Sequence, residues 1–293
     1  MLFNSFEFLI FLPLVFVGYW FVFKTNLRFQ NGFVLVASYL FYGWWDYRFL
    51  GLIILSTVLD FFISKALGKE GNQRTGYRKL LVSLSVVFNL GMLFIFKYYN
   101  FFIESWVELV GRFGYAVNDF DTINIILPVG ISFYTFQTLS YTIDVYRKQL
   151  SPSEDLVEFA TYVAFFPQLV AGPIERATNL LPQIQKNRTF NYTQASQGMR
   201  LILWGLFKKV VIADSLAEDV NFIFSNYASL DGSTLLLGAI YFSIQIYGDF
   251  SGYSDIAIGV SKLFGFEIRS NFKFPYFSRS IAEFWQRWHI SLS

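Results

Sequence analysis

The sequence of 293 residues contains no cysteine and a single histidine, His289. Without a thiol, the chain forms no disulfide and offers no thiolate metal ligand, cysteine nucleophile or acylated cysteine. A protein-ligated zinc site is also disfavoured, because histidine and cysteine are its usual ligands. There is no phosphate-binding P-loop and no glycine-rich dinucleotide fingerprint. The residues therefore give no reason to expect a bound cofactor or metal.

Charge is scarce as well, with 15% charged residues and a formal net charge of +2. Soluble domains typically carry about 25% charged residues, and the near-neutral balance gives no reason to expect a nucleic-acid partner. Hydrophobic residues make up 54% of the chain and aromatic residues 21%. This composition predicts a protein whose solvent is membrane lipid.

Apolar segments separated by short polar stretches predict an all-α, polytopic integral membrane protein. They lie roughly at 8–23, 33–45, 50–67, 80–96, 123–145, 157–171, 199–213 and 233–262. Spanning helices need about 20 residues, so 33–45 and 157–171 suit buried, tilted, re-entrant or interfacial helices. No linker or internal repeat separates the segments, and we expect one membrane-embedded domain over residues 1–293.

The distribution of lysine and arginine predicts the orientation. Seven of these residues follow the first and third apolar segments, and three follow the second and fourth. Because cytoplasmic loops carry the excess, the N-terminus is predicted to lie outside. The first segment has no preceding Lys or Arg and no small-residue cleavage site, so it is predicted to be a retained span rather than a signal peptide.

A polar stripe is predicted between Ile123 and Arg147. Pro128 and Gly130 should break the helix near its start. Beyond them, polar residues recur at three- and four-residue steps on one helical face, namely Gln137, Ser140, Tyr141 and Asp144. Lipid chains offer no hydrogen-bond partners to such a stripe. It therefore indicates either hydrogen bonds between helices or the wall of a cavity.

Two further stretches carry polar groups in apolar surroundings. In FFPQLVAGPIER, Pro167 and Pro173 bracket Gln168, which predicts either a re-entrant loop or a surface turn between spans. In GLFKKVVIAD, Lys208 and Lys209 interrupt an apolar run. Long amines reach the interface while their stems stay buried, so we expect this pair to anchor a helix at lipid headgroups rather than to serve catalysis.

Asp249 and Asp255 lie in another apolar run, on either side of Tyr253. A charged aspartate at the centre of a membrane helix costs about 2.5–3.5 kcal/mol. Both carboxylates should therefore be hydrogen-bonded, paired with a cation, or hydrated. Two such groups within seven residues indicate a polar interior.

His289 is the one natural proton acceptor near neutral pH. It follows Trp285 by four residues, which predicts that the two side chains share a helical face. Arg287 and Trp288 lie between them, and Arg287 could bind an anionic headgroup or a phosphate-bearing donor together with Arg279. A lone histidine here is either a structural hydrogen-bonding group or a base.

The stretch FWQRWHISLS, with YGDFSGYSDIAIG, LPVGISFYTFQTLSYTIDVYR, FFPQLVAGPIER and GLFKKVVIAD, resembles segments of the membrane-bound O-acyltransferase family. The resemblance covers essentially the whole chain and is closest to the bacterial branch for alginate O-acetylation and teichoic-acid D-alanylation. It implies a helical bundle around a tunnel. It also implies an acyl donor, acetyl-CoA or an acyl carrier thioester, that acts as a cosubstrate from the cytoplasmic side of the bacterial inner membrane.

The resemblance further implies acetyl transfer to an exported polysaccharide such as alginate, with periplasmic or extracellular acetyltransferase partner proteins. His289 matches the first of two characteristic histidines, and the second, principal catalytic one has no counterpart here. This predicts a C-terminally truncated, inactive fragment. The candidates for lining a tunnel or binding substrate are Gln137, Tyr141, Asp144, Gln168, Asp249, Tyr253, Asp255, Trp285, Arg287 and Trp288.

Two other classes of function remain open. A transporter or flippase would use the polar side chains of the apolar segments to conduct a substrate. A non-catalytic membrane subunit would only dock partner proteins, which the missing second histidine permits.

Overall fold

The computed structural model describes residues 1–69, 75–113, 126–170 and 172–292. These residues form α-helices and no β-strand, which confirms the predicted all-α class. The helices are α1 Phe6–Val17, α2 Leu27–Gly43, α3 Leu50–Gly68, α4 Thr75–Arg112, α5 Ile131–Tyr146, α6 Leu156–Val163, α7 Phe166–Leu169, α8 Ala177–Ile184, α9 Tyr192–Leu206, α10 Ser215–Ser225, α11 Gly232–Leu263 and α12 Ile281–Arg287. Two π-helical turns, Gly18–Val22 and Phe207–Asp214, extend α1 and α9.

Two helical stretches of the described chain are long and apolar enough to cross a bilayer, Tyr47–Gly68 and Thr75–Arg112. The second is 38 residues long, or about 57 Å at 1.5 Å per residue. Large apolar side chains such as Leu9, Phe21 and Val87 are exposed on the outside of the helices. An apolar exterior of this extent suits contact with lipid.

The helix boundaries follow local signals. The side chain of Asn26 caps α2 by accepting the amide hydrogens of Arg28 and Phe29 at 2.9 and 3.3 Å. Gly130 has a φ of 76°, a left-handed conformation that glycine adopts without strain. Helix α5 begins directly after it, so the predicted break in this segment is confirmed.

The apolar segment 157–171 forms two short helices, α6 and α7, of eight and four residues. Eight residues extend about 12 Å, so neither helix crosses a bilayer. Phe159, Phe165 and Phe166 are fully buried. The short segment is therefore a buried connection inside the protein, as one of the sequence-based alternatives proposed.

A buried polar cluster joins α3, α4 and α5. The carboxylate of Asp60 is fully buried and accepts hydrogen bonds from Ser85, from Asn89 at 2.8 Å and from Thr142 at 3.1 Å. Asn89 also accepts a hydrogen bond from Ser56 at 2.8 Å. Hydrogen bonds between helices satisfy groups that lipid cannot, and this cluster accordingly ties the three helices together.

Helices α9 and α11 touch through glycine backbones. A Cβ at Gly198 would lie 2.6 Å from the carbonyl oxygen of Gly259, and a Cβ at Gly205 would lie 2.5 Å from that of Gly252. The relation is reciprocal, because a Cβ at Gly259 or Gly252 would lie 2.5 or 2.8 Å from the facing carbonyl oxygen. Small residues are what allow membrane helices to approach this closely.

The N-terminal helix is fastened to the end of α11. Tyr19 donates its hydroxyl hydrogen to the carbonyl of Phe264 at 3.0 Å, and Trp20 donates its indole N–H to Leu263 at 2.9 Å. Phe264 also packs against Phe166 of α7. The aromatic core therefore joins the first and last thirds of the described chain.

We expect Gly205→Ala to lower the unfolding temperature in detergent, because its methyl group needs the space of the Gly252 carbonyl. Overpacking of this kind typically costs about 1–3 kcal/mol. Gly91→Ala on α4 is the matched control, since nothing lies within 4 Å of its added Cβ. That variant should be neutral or gain up to about 1 kcal/mol from helix propensity. Equal effects of the two substitutions would contradict the close contact.

Candidate functional site

His289 lies outside the helix that precedes it. Helix α12 ends at Arg287, Trp288 is extended, and His289 has a φ of 51°. The amide of Lys273 donates to the Arg287 carbonyl at 3.0 Å, which holds the chain against an earlier segment. The prediction that His289 and Trp285 share a helical face is therefore wrong, because the helical spacing does not extend to His289.

Asn271 holds the chain on the C-terminal side of the histidine. Its carbonyl accepts the amide hydrogen of Ile290 at 2.9 Å, and its Oδ1 accepts the hydroxyl hydrogen of Ser291 at 2.5 Å. Its Nδ2 donates to Ser254 Oγ on α11 at 2.9 Å. Asn271 is fully buried, so one side chain ties the histidine segment to α11.

The loop after α7 meets the same segment. The amide of Ile174 donates to Ser291 Oγ at 3.1 Å. Glu175 is fully buried, and its carboxylate accepts hydrogen bonds from the amide of Arg269 and from Asn179, the latter at 2.6 Å. The GPIER portion of the stretch FFPQLVAGPIER thus holds the C-terminal segment in place.

One aromatic ring contacts the histidine, and further rings pack behind it. The Phe250 ring contacts the His289 imidazole edge to face with centroids 4.9 Å apart, and Phe272 lies 5.0 Å from Phe250. Trp288 packs on Phe272 at 5.1 Å and stacks on Phe284 at 5.4 Å. This wall removes water from one side of the imidazole and leaves the residue half-buried.

The imidazole has a free ring nitrogen. Nδ1 of His289 is buried and has no hydrogen-bond partner among the described residues. Burial, opposed by a backbone hydrogen bond, lowers the pKa of His289 below its ordinary value. The ring is accordingly neutral at pH 7 and able to accept a proton.

Trp285 and Arg287, which precede the histidine, have different surroundings from it. Arg287 pairs with Glu283 at 2.5 Å, and the Glu283 carboxylate also accepts the amide hydrogen of Arg279 at 2.8 Å. Trp285 points outward with 60% of its surface exposed. An anion that bound Arg287 would have to share its guanidinium with Glu283.

Two lysine–aspartate pairs join the π-helical turn after α9 to α11. Lys208 is buried and lies 2.7 Å from Asp255, and it donates to Ser251 Oγ at 3.0 Å. Lys209 lies 2.8 Å from Asp249. The expectation of headgroup anchoring is wrong for these lysines, because their amines point to carboxylates within the protein.

The requirement that Asp249 and Asp255 be paired is confirmed by the same contacts. Lys209 is also 2.6 Å from Asp214 and lies over the ring of Tyr253 at 5.6 Å. Phe250 and Ser254 belong to the same stretch of α11 and contact the histidine segment. The charged pairs and the histidine are therefore held by neighbouring turns of one helix.

The polar stripe of α5 makes contacts between helices. Gln137 donates to the Tyr162 carbonyl of α6 at 2.7 Å, and the Tyr141 hydroxyl accepts a hydrogen bond from Ser64 of α3 at 3.3 Å. The Tyr141 hydroxyl also accepts the amide hydrogen of Ser153, in the loop after α5, at 2.8 Å. Asp144 is buried. These contacts match the alternative of inter-helix hydrogen bonding, whereas a tunnel lined by these residues stays a prediction.

Gln168 lies beside this stripe. Its Nε2 donates to the Tyr162 carbonyl at 3.1 Å, and its Oε1 is buried without a partner among the described residues. Gln137 and Gln168 thus share one carbonyl acceptor. A role of Gln168 in substrate binding remains a prediction.

Sequence reasoning missed Asn271, Ser254 and Glu175. Asn271 stands in a polar stretch and Ser254 is a small residue in a helix, so neither is conspicuous by type. The usable signal was Glu175, the single acidic residue of the GPIER motif, which follows an apolar run. Ser254 and Asn271 are 17 residues apart, and Glu175 and Arg269 are 94 residues apart, so no local pattern reveals these contacts.

Comparison with known proteins defines the class to which this fold and site belong. The model of the membrane-bound O-acyltransferase family, MBOAT, matches residues 39–293. The chain belongs to this family and is an integral membrane protein. The match includes α11, Asn271 and His289.

Relatives with assigned names cover the whole chain. It is 43% identical to "Probable alginate O-acetylase AlgI" of Azotobacter vinelandii and 42% identical to the protein of that name in Pseudomonas aeruginosa. It is 34% identical to the "Peptidoglycan O-acetyltransferase" of Helicobacter pylori. All 100% of this chain aligns, but it covers 57%, 55% and 60% of the three relatives. The chain thus spans somewhat more than half their length.

We expect Lys208→Met to lower the free energy of unfolding by about 2–3 kcal/mol, because it leaves the Asp255 carboxylate without its cation. The cost stays below that of a fully buried pair, since 21% of the Asp255 side chain is exposed. The double variant Lys208→Met/Asp255→Leu should recover most of the loss. Thermal unfolding of the three proteins in detergent measures the coupling.

Lys65→Met is the matched control, because Lys65 pairs with Glu154 at 3.2 Å with both side chains exposed. Exposed pairs contribute about 0–1 kcal/mol. A double variant that unfolds as easily as Lys208→Met alone would show that the Lys208–Asp255 pair is not the source of the effect.

Proposed function

We propose that the complete gene product is a membrane-bound O-acyltransferase that transfers an acyl group, most simply acetyl, to hydroxyl groups of an exported cell-envelope polysaccharide. The observation that carries this proposal is the family membership, together with identity of 42–43% to alginate O-acetylases along the whole chain. The relative named for peptidoglycan acts on another envelope polymer. Alginate or a similar polymer is the corresponding acceptor here.

The reaction is an acyl transfer from a thioester. The acceptor hydroxyl loses its proton to a base and forms a bond to the acyl carbon, while the carbon–sulfur bond of the donor breaks and the thiolate takes up a proton. The donor is a cosubstrate, acetyl-CoA or an acyl carrier thioester, and reaches the site from the cytoplasmic side. General-base assistance contributes about 10²–10⁴-fold to such a step.

His289 supplies a proton acceptor or a hydrogen bond close to the reacting groups. Its unpartnered Nδ1 and the lowered pKa of the imidazole suit either role. The ring of Phe250 covers one side of the imidazole and holds water away there, which strengthens polar interactions at the imidazole.

The location follows from the same proposal. The protein lies in the bacterial inner membrane with its N-terminus outside, as the lysine and arginine distribution favours. Periplasmic or extracellular acetyltransferase proteins then complete the modification of the exported polymer. A transporter is not favoured, because Gln137 and Tyr141 are engaged in hydrogen bonds between helices.

The test is acetyl transfer by membranes that contain the complete gene product, with radiolabelled acetyl-CoA and deacetylated alginate. Label should enter the polymer, and His289→Gln should lower the rate by about 10²–10⁴-fold without loss of membrane insertion. Trp285→Phe, at an exposed ring, is the control and should retain activity. No transfer to any envelope polymer would overturn the proposal, and full activity of His289→Gln would remove His289 from the mechanism.

Asn271 acts as a positioning residue in this account. Asn271→Ala releases the histidine segment from Ser254 and Ser291, and misplacement of about 1 Å can lower a rate by about 100-fold. Released imidazole is better hydrated, so its pKa should rise toward the ordinary value of about 6.5. A base must be neutral, and the acid limb of the kcat/KM profile should therefore move to higher pH.

Asn226→Ala is the control for this prediction, because Asn226 is exposed and donates only to the Phe222 carbonyl. Its pH profile should match that of the wild type. If Asn271→Ala lowers kcat but leaves the acid limb in place, Asn271 does not act through the histidine.

A further inference from the structure

An apolar groove runs along the outside of the protein between α1 and α9. Its volume is about 790 Å³, and no charged residue lines it. Leu9, Leu12 and Pro13 form the α1 side, and Met199 and Leu203 form the α9 side. Volumes of several hundred Å³ are typical of ligand-binding clefts. The dimensions and the apolar walls suit a hydrocarbon chain.

One end of the groove continues into a cationic depression. Phe16 and Phe190 line both the groove and the depression, whose volume is about 530 Å³. Lys24 and Arg188 line the depression, and no acidic residue does. An apolar channel therefore leads directly to two positive charges.

These two cations have no carboxylate partner within ion-pair distance among the described residues. Arg188 instead donates to neutral oxygens, those of Gln30 at 2.9 Å, Asn31 at 2.6 Å and Ile184 at 3.0 Å. Its Nε is buried and has no partner there. The guanidinium is thus rigidly held by neutral oxygens and by the rings of Tyr19 and Phe266, whose centroids lie 5.7 and 4.9 Å away. It forms no ion pair within the described residues, which favours an anion.

The distance along the first helix, from the groove to the cations, matches the thickness of one leaflet. From Leu9 to the end of α1 at Val17 is about 12 Å of α-helix, and the π-helical turn Gly18–Val22 then leads to Lys24. One leaflet of hydrocarbon is about 15 Å thick, and the headgroup region adds several ångströms. Trp20 lines the depression, as aromatic residues commonly do at the membrane interface.

We propose that this site binds an anionic phospholipid, with an acyl chain in the groove between α1 and α9 and the phosphate at Lys24 and Arg188. The charge of the depression selects the headgroup, and the groove orders the chain. This inference does not depend on the acyltransferase activity, since none of these residues contacts His289.

The test measures lipids that remain bound to the complete gene product. The protein is placed in nanodiscs of equal dioleoyl phosphatidylglycerol and dioleoyl phosphatidylcholine, extracted into detergent, and analysed by mass spectrometry. Phosphatidylglycerol should be retained preferentially. Lys24→Ala should lower this preference about fivefold, the factor that corresponds to one basic residue at an anionic surface.

Two further variants make the test specific. Lys79→Ala is the charge-matched control, since Lys79 is an exposed lysine on α4, and it should leave the preference unchanged. Ser196→Phe places a ring in the groove and should reduce retention of both lipids. Arg188 itself is not substituted, because its hydrogen bonds to Gln30 and Asn31 support the fold.

Equal retention of the two lipids by the wild type would overturn the proposal. So would a preference that Lys24→Ala and Lys79→Ala lower equally, because the headgroup would then lie elsewhere. A lipid-free protein that elutes as a dimer, and as a monomer in the Ser196→Phe variant, would assign the groove to a second copy of the chain and likewise contradict it.

Discussion

The backbone contact between α9 and α11 is the constraint on which the candidate site depends. Gly198 and Gly205 meet Gly259 and Gly252 at distances that leave no room for a methyl group. Because the two backbones touch, the π-helical turn after α9 lies directly beside α11, and its lysines reach the aspartates there. The same helix presents Phe250 and Ser254 to the segment that carries the histidine. Close packing thus sets both the charge pairing and the histidine position.

The site built on this contact combines a neutral imidazole whose Nδ1 has no partner among the described residues with an aromatic ring packed on one side, features that suit the proposed acyl transfer. Asn271 connects these features to α11, and the loop around Ile174 closes the arrangement from the side of α7. Family membership supports an acyltransferase. The chain covers 57% and 55% of the length of two alginate O-acetylase relatives, and the reaction of the whole protein is a proposal.

Properties that depend on composition or on near neighbours could be predicted from the sequence. The all-α membrane class, the helix break at Gly130 and the need to pair Asp249 and Asp255 are of this kind. The position of His289 could not be predicted, because helical spacing assumes a helix that contacts with Asn271 and Lys273 interrupt. The lysines were assigned to headgroups because an amine in an apolar run can reach either a lipid headgroup or a carboxylate of the protein. Which of the two it contacts depends on carboxylates about 40 residues away. Asp60 and its partners were missed for the same reason.

Hydrogen–deuterium exchange tests most directly whether the contact between α9 and α11 holds the histidine segment. Exchange at the amides of Lys273 and Ile290 would be followed in the wild type, in Gly252→Ala and in Gly91→Ala. We expect these amides to be protected in the wild type and in Gly91→Ala, and to exchange faster in Gly252→Ala, where the helices must separate. Unchanged protection in Gly252→Ala, in a protein whose helices α9 and α11 have moved apart, would contradict this expectation.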